Sequence, residues 1–269
     1  MTIIFKAKSN EAYCLKILAE LLTNNIKTGC FELDETGISL CMMDTNRKIL
    51  IDLKLHAENF LTYKFRSRKM YLGINLNHLH KMLKAIKKKD LIELFIDDQF
   101  PNELGIKVIP KENNRFSTST IMIQTIQNLI IEVPTGYKNP ISVASPDYQK
   151  MCKEMGSISN TIKITSKSSK MVFDCNAGGV IKRKVQFGNI EDDEEGKEEY
   201  TQDFATEQLC RITKLSGLSN HIQIFTGNPL MFRTNIGNLG KISIYIKSIN
   251  QIESESLKTA CDDDSENDD

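Results

Sequence analysis

Apolar positions in the first half of this chain recur in the second half at a nearly fixed distance. That recurrence constrains the fold more than any other feature. Residues 12–22 place Leu15, Leu18, Ala19 and Leu22 on one stripe, and residues 148–155 place Tyr148, Met151, Cys152 and Met155 on another, at an offset of 133. Such spacings of three and four residues mark amphipathic helices. The strand-like segments that follow keep the offset: Phe31 answers to Ile164 and Leu40 to Phe173. In the first copy these strands, 28–33 and 38–42, flank the turn Asp34-Glu35-Thr36-Gly37; in the second they are 162–165 and 171–174. Further on the offset is 130, so that Leu79, Met82, Ile92, Leu94 and Phe95 answer to Leu209, Ile212, Ile222, Ile224 and Phe225. A helix over 75–86, with Leu76, Leu83 and Ile86 also on its apolar face, thus matches a helix over 205–215, and the strand 91–96 matches 222–225. Single apolar stripes are commonplace, but two near-constant offsets in the same order specify two copies of one α+β domain.

The repeat divides the chain into a first domain over 1–123, a connector over 124–137, a second domain over 138–250 and an acidic tail over 251–269 that reads as disordered. The connector fits neither helical nor strand periodicity and is punctuated by Pro134 and Gly136. It is nevertheless apolar, with Ile126, Leu129, Ile130, Ile131 and Val133, so it packs either on its own body or on a partner.

No run approaches the roughly 18 apolar residues that a membrane span needs, and the first residues lack the basic flank and apolar core of a signal peptide. Cys14, Cys30, Cys41, Cys152, Cys175, Cys210 and Cys261 are odd in number and form no CxxC pair, which points away from a disulfide framework or zinc site and towards a reducing compartment. Of the four histidines, His56, His78, His80 and His221, the pair His78 and His80 would point about 160° apart on a helix, so they do not share a metal ion. There is no GxxxxGK[ST] phosphate loop. Nothing in the sequence calls for a cofactor or a catalytic centre.

The formal net charge of zero hides an asymmetry. Residues 191–199 and 262–269 each carry a net −6, which leaves +12 on the remaining 252 residues. The acidic runs read as solvated segments, and the basic body suits a polyanionic partner. Lys16, then Lys81, Lys84 and Lys88, then Lys150 and Lys153, then Arg211 and Lys214 lie off the apolar stripes of the four expected helices. A solvated lysine face is the ordinary reading of any one of them. Four such faces from two repeats favour one basic surface. No aromatic residue interleaves with these lysines in sequence, so contact with phosphates rather than stacking on bases is expected.

Several stretches then carry a family resemblance: Cys30-Phe31-Glu32-Leu33 through Gly37-Ile38-Ser39-Leu40-Cys41-Met42-Met43-Asp44; Leu72-Gly73-Ile74-Asn75-Leu76 leading to Lys81-Met82-Leu83-Lys84; Ser145-Pro146-Asp147-Tyr148 with Met151-Cys152-Lys153-Glu154-Met155; and Asn228-Pro229-Leu230, Gly237-Asn238-Leu239-Gly240 and Tyr245-Ile246. In this order and spacing, over roughly residues 5–250, the chain resembles the proliferating cell nuclear antigen family of DNA sliding clamps, in a divergent form that a large DNA virus could carry.

The resemblance implies a ring of three identical subunits, with helices lining a central hole around duplex DNA and antiparallel sheets outside. It implies pairing between strands 117–123 of one subunit and 181–187 of the next, the second of which is unexpectedly basic. DNA polymerase and other replication and repair proteins would be tethered, and a loader ATPase would open the ring. The setting would be a nucleus or a viral replication compartment, without secretion or membrane attachment. By resemblance, a partner-peptide pocket falls on Met43, Asp44, Arg47, Lys48 and Leu50, on Ile131, Val133, Pro134 and Tyr137, and on Pro229, Tyr245 and Ile246. The chain departs from the family at Arg47, commonly His, and at Lys247-Ser248, commonly Ala-Pro. Both changes add positive charge at the rim. Alternatives are a subunit of a heterotrimeric checkpoint-type ring, a monomeric polymerase processivity factor, and a DNA-free interaction scaffold.

Overall fold

The computed structural model describes residues 2–111, 115–127, 129–167, 169–188 and 200–263, apart from the side chains of 258–263. The acidic run at 191–199 and the last six residues lie outside the described residues. The first half runs β1 (Ile3–Ser9), α1 (Ala12–Thr23), β2 (Thr28–Asp34), β3 (Gly37–Met43), β4 (Ile49–His56), β5 (Thr62–Phe65), β6 (Met70–Asn75), α2 (Leu76–Leu83), β7 (Leu91–Asp97), β8 (Glu103–Ile109) and β9 (Ser117–Met122). The second runs β10 (Ile141–Ala144), α3 (Ser145–Gly156), β11 (Thr161–Lys167), β12 (Lys170–Ala177), β13 (Ile181–Gly188), β14 (Tyr200–Ala205), α4 (Thr206–Arg211), β15 (His221–Phe225), β16 (Leu230–Ile236), β17 (Gly240–Ile246) and α5 (Ile249–Asp263).

Pairing repeats with the sequence. β2 pairs with β3 and β6, and β3 with β4; likewise β11 pairs with β12 and β14, and β12 with β13. β1 pairs with β7 as β10 pairs with β15. All these ladders are antiparallel, so the α+β class read from the repeat is the class observed.

The chain packs as two compact units: Met1–Val133 with Gly217–Ser219 and Arg233–Ser243, and Pro134–Ser216 with Asn220–Phe232 and Ile244–Asp269. In the first unit the α1 stripe buries Leu15, Leu18, Ala19 and Leu22 against strand residues such as Phe5, Leu33 and Leu40. Here β4 is joined by the start of β17, with the His56 N–H donating to the Leu239 carbonyl at 2.9 Å. In the second unit Tyr148, Met151, Cys152 and Met155 fill the same role beside Phe173 and Phe204. Buried Tyr148 donates its hydroxyl to the Leu209 carbonyl at 3.2 Å, which avoids the cost of an unpaired polar group in the core.

Three segments differ from the sequence reading. The helix expected over 75–86 stops at Leu83, because the Ile86 N–H turns back to the Leu83 carbonyl at 3.0 Å in a tight turn that buries Ile86 without another helical turn. Met82 is consequently 39% exposed rather than in the core. The helix expected over 205–215 ends at Arg211 and continues as a 3-10 turn, Thr213–Gly217. There the Thr213 hydroxyl takes the Cys210 carbonyl at 2.8 Å and the Leu215 N–H reaches Ile212 at 3.0 Å. Residues 251–263, read as part of a disordered tail, are helical in α5.

Candidate nucleic-acid and peptide interfaces

The eight cationic residues singled out from the sequence divide equally between the units. In the first, Asn75 caps α2 by accepting the His78 N–H at 3.1 Å, and the helix then exposes Asn77, His78, Lys81 and, at its end, Lys84. Lys88 lies past the helix, on the loop that follows the tight turn. Lys16 on α1 is partly buried and donates to the Ile86 carbonyl at 3.0 Å. The Tyr13 ring lies 5.5 Å from the Lys16 ammonium and 5.8 Å from that of Lys88. An aromatic ring therefore does sit among the lysines. The sequence missed it because Tyr13 and Lys88 meet only through the packing of α1 beside α2.

In the second unit α3 exposes Lys150 and Lys153. Arg211 on α4 forms an i,i+4 ion pair with Glu207, and Glu154 pairs with Arg183 on β13. The exposed Arg211–Glu207 pair contributes at most about 1 kcal/mol, so a phosphate can exchange for its carboxylate at little cost. Lys214 lies on the 3-10 turn.

The second candidate interface begins where the connector leaves the first unit's sheet. The Gln124 N–H donates to the Gly73 carbonyl at 2.8 Å, and a Cβ at Gly73 would stand 2.2 Å from the Gln124 carbonyl oxygen. Only glycine allows this crossing. Beyond it, Leu129, Ile130 and Ile131 roof a cavity of about 400 Å³ whose floor and rim include Met43, Asp44 and Arg47 together with Cys30 and Cys41. Ile130 is 96% exposed and Leu129 63%. Isolated apolar exposure is ordinary, but two adjacent large side chains over an open cavity form a surface ready to be covered.

Asp44 shapes this rim through the backbone. It is buried, and its Oδ1 accepts the N–H groups of Lys48 at 2.7 Å and Ile49 at 2.8 Å. The turn so formed places Arg47 at φ 54, a left-handed conformation, with its side chain exposed. Cys41 has its pKa raised to about 11, first by burial and then by the Asp52 carboxylate, and so stays a neutral wall.

Among the other residues singled out, Leu50 is core on β4, opposite Met43. Val133, part-buried, ends the first unit. The remaining positions belong to the second unit, where Pro134 is part-buried and Ile246 fully buried. There the Tyr137 hydroxyl donates to the Pro229 carbonyl at 2.6 Å, with its ring 5.9 Å from Tyr245 and 6.2 Å from Phe225. Lys247-Ser248, the departure noted above, begins α5: the Ser248 hydroxyl accepts the Gln251 N–H at 3.2 Å, and Lys247 pairs with Glu255. The sequence missed Cys30 and Cys41 as cavity walls, since which face they line depends on the β2–β3 register.

Comparison with known proteins fits this architecture. The N-terminal domain of proliferating cell nuclear antigen matches residues 4–129 and its C-terminal domain residues 132–252. The chain is 25% identical to the proliferating cell nuclear antigen of Chaetomium thermophilum over 255 residues, covering 90% of this chain and 97% of that one. It is also 25% identical to a probable DNA polymerase sliding clamp of Autographa californica nuclear polyhedrosis virus over 249 residues, covering 90% and 95%. The crystal structure of the Entamoeba histolytica proliferating cellular nuclear antigen superposes with a TM-score of 0.80 at 20% identity, covering 92% of this chain and 99% of that one, and thus shares the fold. With both halves matched, the chain belongs to the proliferating cell nuclear antigen family: it is a DNA sliding clamp.

Proposed function

We propose that this clamp works as a homotrimeric ring around duplex DNA, with Lys81, Lys84, Lys150, Lys153, Arg211 and Lys214 facing the phosphates and Lys16 and Lys88 contributing from beside Tyr13. The observation that carries the reading is that each unit presents cationic side chains on its helices, exposed on α2 and α3 and part-buried on α1 and α4. Contacts to phosphate carry no base sequence, so neighbouring positions along the duplex are nearly equal in energy and the ring slides. The mechanism is topological and includes no covalent step. A polymerase held by the connector cavity then stays at high effective concentration beside its primer end. On this reading the family's partners are DNA, polymerase and a ring-opening loader, in a nuclear or viral replication setting.

We further propose that Met43, Arg47, Leu129, Ile130 and Ile131, around the connector cavity of the first unit, receive apolar and aromatic anchors of a short partner peptide. Arg47 attracts acidic residues flanking those anchors.

The test is retention on DNA. Clamp loaded onto nicked circular DNA is expected to stay bound until the circle is linearised, whereas Lys81→Ala/Lys84→Ala/Lys153→Ala, folded by circular dichroism, loads less and with a flatter salt dependence. Equal loss from circles and linear DNA would remove the encircling reading. An unchanged salt slope would make these lysines a solvated face.

A second reading has one observation in its favour. β13 exposes Lys182 and Lys184, and the approach to β9 carries exposed Arg115. A strand edge of this charge also fits a heteromeric ring whose neighbouring subunit presents an acidic edge.

A further inference from the structure

Within the second unit, α3 and α4 meet through two cysteines. Cys152 is buried on α3, and its Sγ lies 3.8 Å from the Leu209 carbonyl. Cys210, half-buried on α4, has its Sγ 3.5 Å from the Cys152 carbonyl, so that each thiol donates to a carbonyl of the opposite helix. Gly156 makes the approach possible, since a Cβ there would stand 3.2 Å from the Cys210 sulfur. Each thiol is therefore seated against the opposite helix, in a part-exposed residue at Cys210 and a fully buried one at Cys152.

We propose that Cys210 and Cys152 form a dithiol modification site that reacts with low-molecular-weight disulfides such as oxidised glutathione, Cys210 as the attacking sulfur and Cys152 as the resolving one. The Cys210 thiolate attacks one sulfur of the reagent. A Cys210–glutathione bond forms, the reagent's S–S bond breaks, and one glutathione thiolate leaves. Cys152 then attacks the Cys210 sulfur, its proton passing to the departing glutathione thiolate. A second glutathione thiolate leaves, and a Cys152–Cys210 disulfide remains. Two protein thiols are oxidised and one glutathione disulfide is reduced, so no further oxidant enters.

The electrostatics fit this order. Once Cys210 is ionised, a hydrogen bond from the neighbouring Cys152 thiol stabilises the thiolate and lowers its pKa below the ordinary thiol range, against the opposing effect of burial. The same bond and burial push Cys152 upward. Cys14, Cys30, Cys41 and Cys175 are all raised, with burial the largest cause in each. Thiolate fraction and access decide which thiol reacts first. The new bond would tie α3, which exposes Lys150 and Lys153, to α4, which carries Arg211.

The experiment treats the full chain with oxidised glutathione under native conditions, quenches with acid and maps modified cysteines by mass spectrometry of the peptides. In the wild type, Cys210 is expected to be consumed at least about tenfold faster than Cys14, Cys30, Cys41 or Cys175 and to end as the Cys152–Cys210 disulfide. Cys152→Ser is expected to stop at the Cys210–glutathione adduct, and Cys210→Ser to leave Cys152 unmodified. Circular dichroism checks both variants, and Cys152→Ala replaces the serine variant should burial of the hydroxyl unfold it. Adducts spread at similar rates over the cysteines, or a Cys210 adduct equally persistent with and without Cys152, would overturn the proposal.

Discussion

At the turn after β3, Asp44 holds the N–H groups of Lys48 and Ile49 while its own exposure is 4%, so its carboxylate serves the backbone and not a ligand. Asp44→Ala is expected to lower stability by about 1–3 kcal/mol, because two part-buried donors lose their acceptor; urea denaturation measures it. Arg47 separates stability from binding. Its φ of 54 costs a non-glycine residue some energy, which glycine does not pay. Arg47→Gly is therefore expected to keep or slightly raise stability, while acidic clamp-binding peptides bind more weakly and with less salt dependence in titration calorimetry. Tyrosines set the alkaline limit. Burial raises Tyr63, Tyr137 and Tyr200 above the ordinary value of 10.0, so their protonated form is favoured in the folded state. Their contribution is complete below pH about 10 and is lost as pH rises from there through the folded-state values. Urea midpoints measured across that range are expected to fall with pH, and Tyr137→Phe to reduce the slope.

α5 shows what element-scale packing adds to composition. Glu253, Ser254, Glu255 and Ser256 fall in the tail that reads as disordered, yet the Ser248 cap, the partly buried Ile249 and Ile252, and the Lys247–Glu255 pair hold a helix there. The family match ends at Ile252, so most of α5 lies beyond it. Ser248→Ala is expected to cost about 1 kcal/mol, read as a lower denaturation midpoint. Truncation after Ile252 releases Lys247 from Glu255 and is expected to tighten acidic-flanked peptides at low salt; unchanged affinity would mean that Lys247 takes no part in binding. The same contrast explains what was legible. α1 and α3 are legible because all eight residues on their stripes are buried in the cores. Lys88 and Met82 are misplaced from sequence because helix termination at Leu83 depends on a turn that apolar spacing does not encode. Met43, Arg47 and Ile131 meet at one cavity as the family motifs imply, whereas Cys30, Cys41 and Tyr13 enter through strand register and helix packing.

For the whole molecule, the repeat makes a statement about assembly. β4 and β13 hold the same place in their halves, each next to the middle strand of the β2–β3 or β11–β12 hairpin. β9 and β17 likewise each close a half as its last strand. Within the first unit the outer edge of β4 is covered by β17. The equivalent strands β9 and β13 are edges, and they expose Phe116, Met122, Val180 and Ile181 at or beside their ends. An uncovered edge is a template for another chain, and in the proposed homotrimer a second copy supplies the strand that the repeat leaves missing. Pairing β9 of one copy with β13 of the next is heterologous, and closure after three copies gives six domains in a ring. Light scattering is expected to give a mass three times that of the chain, held across a tenfold dilution. Thr120→Pro removes a backbone donor from edge strand β9 and is expected to shift the protein to monomer, with circular dichroism unchanged. Lys182 and Lys184 repel one another and the cationic approach to β9, so trimer dissociation on dilution is expected to weaken as salt rises. A monomer mass at every concentration would end the homotrimer reading in favour of a single-chain processivity factor, and a trimer formed only with an acidic-edged partner would replace it with the heteromeric ring.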